Sequence, residues 1–520
     1  MNPDGISYLD LGDAYLRADW TAAANAYWSP MYAWLLAIAM RVIHPSLWWQ
    51  FPVVHLVNFV VFVASLLCFR YLVRSMLSAS GVKGRLPDRF LWPIGYGLFL
   101  WCSLDLIGVQ TASPDLLLSA WIFLLAGLLA RLRADDSLRK FALFGLILGA
   151  AYLTKSFMFP LGFVFLLIGL ISGTVTRRRV AGILLATAVF LGVSFPLIVL
   201  LSRAKGRLTF SDTGKLAYAW FVSPKAPMLN LQSSPEARLS HPTRKILEHP
   251  PVYEFSQPVS GTYPPWSDPS YWNEGIQPRF RLSAQRDALV DSLKIVSRLL
   301  AGQLGWLAGL AILGAFAWQS TFRGILNHWP LLLASLVAVG AYSLVLVMPR
   351  YVAPFLAIFC STLLASVRLP GGKQAGRAAR FVAILTTVAI MISAAQPLVS
   401  KTYQKWSGGV RRSREEPIRA AEKLLQMGLH PNDRVATLGD GISDYWARLA
   451  GFKIVAQIMP GDDGGKEFWS LAPEREETVY HSLAQTGALA LVTWDASRSE
   501  LGPGWQKIPG TGYHVYFLTK

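Results

Sequence analysis

The chain has 520 residues, 53% of them hydrophobic and 15% charged, with a formal net charge of +18. So little charge cannot cover a soluble surface of this size, and the apolar residues come in runs of about 20, the length that crosses a bilayer. A basic balance also suits nucleic acid, but here the cations sit in short clusters between apolar runs, as membrane topology demands, so nucleic acid is set aside as a partner.

The opening residues, MNPDGISYLD, are polar and show no signal peptide. Residues 1–50 read as a first extracytoplasmic loop. It holds Asp4, Asp10, Asp13 and Asp19, and its stretch 31–44, with Arg41 and His44, suits an interfacial helix better than a span. A carboxylate beside a membrane surface can take a proton from an attacking hydroxyl or hold a hard cation. Helix capping by Asp4 and a solvated acidic face are alternatives of equal weight.

Ten apolar runs predict membrane helices at 51–76, 90–109, 113–132, 140–156, 157–174, 180–201, 296–319, 328–347, 351–368 and 378–398. They define two membrane segments, 51–201 and 291–400. One set of connections carries Arg70, Arg74, Lys83, Arg85 and Arg89, then Arg131, Arg133, Arg139 and Lys140, then Arg177, Arg178 and Arg179, and later Arg323, Arg368, Lys373, Arg377 and Arg380. The alternate short turns carry Lys155 and Arg350. This asymmetry puts the first set in the cytoplasm and leaves 1–50, 202–290 and 401–520 outside. Cys68, Cys102 and Cys360 lie in or beside apolar runs, so they form no disulfide framework and no zinc spacing.

The loop 202–290 is long and rich in Pro, Tyr and Trp, which marks it as functional, as an aromatic belt on the membrane interface, or as both. From about residue 403 the pattern alternates helix and strand, with strands at RVATLG, KIVAQI, ALALVTWD and YHVYFLT, and predicts a small α/β domain with an open sheet. No glycine-rich phosphate loop follows these strands, so binding or packing suits this domain better than catalysis.

Ionisable groups at membrane depth or at its rim are expensive and therefore draw attention. Asp105 and Asp115 flank a short outer turn, and Asp115 follows Pro114 where a helix-opening charge is a plain explanation. Lys155, in LTKSFMFP, is either a snorkelling lysine or a phosphate partner. Arg350, in VMPRYVAPF, carries the planar fork that grips phosphate with two bonds.

Taken in order, DGISYLDLGDAYLRADW, WSPMYAWL, SPDLLLSAW, GLILGAAYLTKSFMFP and PRYVAPF resemble the GT-C superfamily of polyprenyl-phosphate-dependent glycosyltransferases, and most of all its family 39 branch of protein mannosyltransferases and the lipid A aminoarabinose transferase. The resemblance covers the chain to about residue 400. It implies a mainly α, polytopic transmembrane domain with a long extracytoplasmic loop, here joined to the C-terminal α/β domain. It implies a sugar donor on dolichyl or undecaprenyl phosphate, a lipid, glycan or protein acceptor, and transfer with inversion on the outer side of the membrane. Asp4 matches the general base and Asp115 the second acidic position, while Lys155 and Arg350 match the phosphate partners. Tyr8, Asp10, Trp266 and Trp272 fall in the segments expected to bind substrate, Trp220 and Tyr271 are further rings for stacking on sugar, and Asp268 and Glu274 are spare carboxylates. Many relatives carry Asp-Glu where this chain has Asp4-Gly5, which leaves a divalent cation open. The family also has a transmembrane helix ahead of the acidic loop, whereas this chain begins almost on the motif. A transporter or flippase of the lipid-linked sugar and a non-catalytic envelope scaffold are the competing readings. No internal repeat favours the first, and the second leaves the acidic opening unexplained.

Overall fold

The computed structural model describes residues 1–79, 84–133, 135–223, 243–255, 261–273, 275–370, 373–406, 409–459, 466–494 and 502–518. Lys83 and Glu274 lie outside them. The chain divides into two compact units, one made of Met1–Val54, Lys225–Pro278 and Gln404–Lys520, the other of His55–Pro224 and Arg279–Tyr403.

The second unit is an integral membrane domain. Among the described residues six helices are long and apolar enough to cross a bilayer: Leu47–Ser78, Asp88–Ile107, Asp115–Leu132, Arg177–Lys205, Pro349–Ser366 and Gln374–Gln396. The first of these begins in the other unit and enters this one at His55. Large apolar side chains such as Phe59, Leu67, Leu184, Phe195 and Ile392 are exposed along them, which water would not tolerate and lipid requires. Every apolar run expected from the sequence is helical, but not every run is a straight span. The run 296–319 falls across Leu282–Ala301 and Leu304–Ala315, which meet at 76°, and Trp318–Asn327 meets Trp329–Ser343 at 69°. Counting each bent pair as one span gives eight. The runs 140–156 and 157–174 form helices Leu138–Thr154 and Met158–Ile171, and the latter, at 14 residues, reaches only about 21 Å.

The two ends of this unit differ. Arg85 bridges Arg368, Leu369 N donates to Gly84 O at 2.6 Å, and Arg131 Nε donates to Ser75 Oγ at 2.9 Å. Arg133 donates to Asn327 O, and Arg179 to Asp136 at 2.9 Å and Gly169 O at 3.1 Å. The basic connections therefore gather at one end. Asp115, Lys155 and Arg350 occupy opposite helix ends, about 27 Å away along the 18-residue helix Asp115–Leu132.

Small residues set the closest helix contact. Gly145 and Gly149, one turn apart on Leu138–Thr154, lie against Ala186 and Val193 of Arg177–Lys205, and Gly182 of the latter lies against Phe141. Without a hydrophobic drive between helices in lipid, such close backbone approach supplies the packing.

In the first unit, helix Pro3–Leu16 packs on Pro30–Ile43 through Gly12, where an added Cβ would lie 3.0 Å from Ala33 O. The tail folds around a sheet of β1 (Thr243–Leu247), β2 (Val252–Phe255), β3 (Arg434–Leu438), β4 (Lys453–Ile458), β5 (Ala490–Trp494), β6 (Trp505–Lys507) and β7 (Tyr513–Phe517), in the order β1-β2-β4-β3-β5-β7-β6. β3 runs parallel to both β4 and β5, and the remaining pairs are antiparallel. The four expected strands are present. The surprise is β1 and β2, which come from the aromatic-rich loop and extend the sheet by pairing Val252 with Ile458. Val252, Ala436, Ile458, Leu483 and Leu491 form the shared core. The outer strand β1 carries Arg244 and Lys245, whose ion pairs with Glu254 and Glu248 keep that edge polar.

Gly145→Leu is expected to lower stability by about 1–3 kcal/mol through overpacking against Ala186. Gly192→Ala, on the same helix pair but facing open space, should leave it nearly unchanged. Thermal unfolding of the two purified variants in one detergent checks this. Equal shifts would remove the glycine contact as the cause.

Candidate functional site

Three of the sequence candidates meet in the membrane unit. Asp115 opens helix Asp115–Leu132 directly after Pro114 and is 2% exposed. Its Oδ1 accepts from Lys155 Nζ at 2.6 Å, and its Oδ2 lies 3.5 Å from Arg350 Nε. Lys155 sits in an extended break between helices Leu138–Thr154 and Met158–Ile171, which turns its ammonium inward. Arg350 occupies the first turn of Pro349–Ser366, placed there by the proline that starts that helix. Both cations are 18% exposed.

Tyr351 completes the cluster. Lys155 Nζ stands 3.4 Å from its ring centroid, and the Arg350 guanidinium carbon 5.3 Å. Tyr342 packs 5.4 Å from Tyr351 and 4.0 Å from Phe157, ring to ring, and its buried hydroxyl has no hydrogen-bond partner among the described residues. Two cations, one carboxylate and the N-terminal ends of two 18-residue helices leave a net positive, poorly hydrated place. That arrangement suits an anion with several oxygens. Nothing in the local sequence marked Tyr342 or Tyr351. Arg350-Tyr351 adjacency was visible, but the turn that brings Tyr342 beside it was not.

The other candidates lie in the first unit. Asp10 is buried, accepting from Thr262 N at 2.7 Å and Thr262 Oγ1 at 2.9 Å, and pairing with Arg448 Nε at 3.2 Å. Arg448 Nη2 also binds Asp13 at 2.7 Å, and Lys453 Nζ donates to Gly261 O at 3.0 Å. Burial raises the Asp13 carboxyl above its ordinary value against the pull of Arg448. Asp4 shares the helix with Asp10 and Asp13 but sits in its first turn, beyond the Asn2 cap position. Nine residues separate it from Asp13, about two and a half turns, so the two lie on opposite faces.

Tyr8 packs edge-on against Trp28 at 5.1 Å and Tyr32 at 5.2 Å. Trp266 lies 5.6 Å from Trp28, and its carbonyl accepts from Ser7 Oγ at 2.9 Å and Trp28 Nε1 at 3.0 Å. Trp272 packs 5.6 Å from Phe255. All three rings are buried. Asp268 accepts from Ser270 N at 3.1 Å and so caps its own short helix. Beyond β3, burial pushes the Asp444 carboxyl up to about 6 despite the 2.6 Å hydrogen bond from Thr437. Among the described residues, no three His, Cys, Asp or Glu side chains converge as a metal-ligand set.

Arg448→Met is expected to destabilise the first unit by about 3–5 kcal/mol near neutral pH, because it strands the buried Asp10 and the half-buried Asp13. Burial already raises the Asp13 carboxyl and Arg448 opposes that rise, so without the guanidinium Asp13 binds its proton more tightly folded than unfolded, and stability falls as pH rises from the ordinary carboxylate range. Thermal unfolding across pH should therefore show the deficit shrinking in acid. A deficit independent of pH would count against this reading.

No family model and no curated protein matches the chain. Among solved structures it is similar to ArnT from Cupriavidus metallidurans in the apo state, at 12% identity over 99% of this chain and 93% of that one, with a TM-score of 0.42. The same protein bound to undecaprenyl phosphate is matched at 13% identity over the same shares, with a TM-score of 0.38. The Archaeoglobus fulgidus oligosaccharyltransferase in complex with Zn and sulfate is matched at 12% identity over 94% of this chain and 63% of that one, with a TM-score of 0.47. At these identities and TM-scores the likeness assigns no activity.

Proposed function

We propose that this protein is a membrane glycosyltransferase that moves a sugar from a polyprenyl-phosphate donor to a lipid, glycan or protein acceptor on the outer face of the membrane. The observation that carries the proposal is the Asp115–Lys155–Arg350 cluster, at the helix ends opposite the basic connections. By the positive-inside rule that end faces outward.

In this reading the donor's tail stays in lipid while its phosphate rests on Lys155 and Arg350, with the Tyr342 hydroxyl as a further donor. The acceptor oxygen or nitrogen attacks the anomeric carbon from the side opposite the phosphate. The bond from that carbon to the phosphate oxygen breaks with its electron pair, releasing polyprenyl phosphate and inverting the sugar. Asp4 takes the acceptor's proton. Lys155 and Arg350 stabilise the charge that grows on the departing phosphate, and their low hydration strengthens that effect. Asp115, with one oxygen toward each cation, acts as a positioning residue.

A flippase or transporter of the same donor is the second reading. The two bent helix pairs favour it, since broken helices line many transport pathways.

Reconstituted protein supplied with polyprenyl-phosphate-sugar and a membrane extract distinguishes the two. Transfer predicts released polyprenyl phosphate, reduced by about 10²–10³-fold in Lys155→Ala and Arg350→Ala and by about 10²–10⁴-fold in Asp4→Asn. Intact donor crossing the vesicle wall without cleavage would instead establish transport. Full turnover in Asp4→Asn would overturn the base and leave the reaction class standing.

A further inference from the structure

The basic end of the membrane unit holds an apolar cavity that the transferase reading does not use. It measures about 330 Å³ and is lined by residues of Leu304–Ala315, Trp318–Asn327 and Pro349–Ser366. Leu307, Ala311, Trp318, Phe322 and Leu363 line it, and Trp318 and Phe322 are strongly exposed at its rim. Two further lining residues, Thr321 and Val367, lead directly to charge: the backbone N–H of Arg368 donates to Thr321 Oγ1 at 3.2 Å.

Arg368 is buried, donates through Nη1 to Ala365 O at 2.9 Å and Val367 O at 3.0 Å, and has no carboxylate partner among the described residues. Arg85 bridges it backbone to backbone, and Asp88 offsets only the Arg85 charge, at 2.6 Å. Arg133 donates to Asn327 O, and both Arg133 and Arg368 act electrostatically on His328. Three guanidiniums thus face one carboxylate beside an apolar slot. A buried cation without a counter-charge is costly. The leaflet on the basic side is the one that supplies anionic lipid.

We infer that this end binds an anionic phospholipid, with one acyl chain in the cavity and its phosphate on Arg85, Arg133 and Arg368. The bound lipid supplies the counter-charge that Arg368 lacks among the described residues and fills the space between Leu304–Ala315 and Trp318–Asn327. The inference stands apart from sugar transfer, because it uses neither Asp4 nor the Asp115 cluster.

The test is native mass spectrometry of the full chain released from nanodiscs containing equal parts of phosphatidylglycerol and phosphatidylcholine. Preferential retention of phosphatidylglycerol is expected. The double variant Arg85→Gln, Arg133→Gln should weaken it about tenfold or more, the equivalent of about 1.4 kcal/mol. Ala311→Phe, which fills the cavity and leaves every charge in place, should weaken it comparably. If Ala311→Phe fails to fold, the charge variant decides alone. Equal retention of the two lipids, or unchanged retention in the charge variant, overturns the inference. Displacement of phosphatidylglycerol by an equal amount of polyprenyl monophosphate also overturns it, by assigning the cavity to the donor's tail. Because no turnover is read, these outcomes are independent of whether the protein transfers sugar.

Discussion

Lipid leaves charge only two places to go in the membrane unit, its two ends, and the organisation of that unit follows from this constraint. At one end arginines satisfy backbone carbonyls of neighbouring helices, tying Leu132, Gly169 and Asn327 into one layer. At the other end three charges are nearly closed from water. A buried ion group of this kind is costly unless each member is partnered, and here one carboxylate serves two cations while an aromatic ring takes part of the load. One carboxylate between two cations leaves this end with residual positive charge, and the proposed function rests on that surplus.

The first unit solves a different problem, holding together segments that are remote in the chain. The sheet does part of this by pairing β2 with β4, about two hundred positions later. The Asp10–Thr262–Arg448 network does the rest, joining the opening helix, the aromatic-rich loop and the tail through charge-assisted hydrogen bonds. Asp10 and Asp13 on one face, and Asp4 on the other, give a single helix two kinds of acidic position. One is consumed by packing, and the other stands in the first turn, at the positive end of the helix dipole.

The helices were legible because a bilayer enforces one local rule, that each segment satisfies its own backbone hydrogen bonds behind an apolar surface. The same economy singled out Asp115, Lys155 and Arg350, since an ionisable group near lipid is expensive wherever it occurs. The bends near residue 302 and at His328 were not legible. They sit inside or beside apolar runs whose composition does not change at the break. Tyr342 was hidden for a related reason: one tyrosine in an apolar helix looks like any other until its neighbours are known.

Sequence alone determined the membrane class, the grouping of the basic connections at one end, the helical runs, the α/β character of the tail and the short set of costly charges, all of which depend on composition and local period. Only the tertiary structure decided which charges meet. It joined Asp115 to Lys155 and Arg350, drew Asp10 to Arg448 instead, and split the aromatic-rich loop so that part of it builds the tail's sheet. Those outcomes depend on contacts between residues forty to more than four hundred positions apart, and no local pattern encodes which distant partner a charge or a strand edge will find.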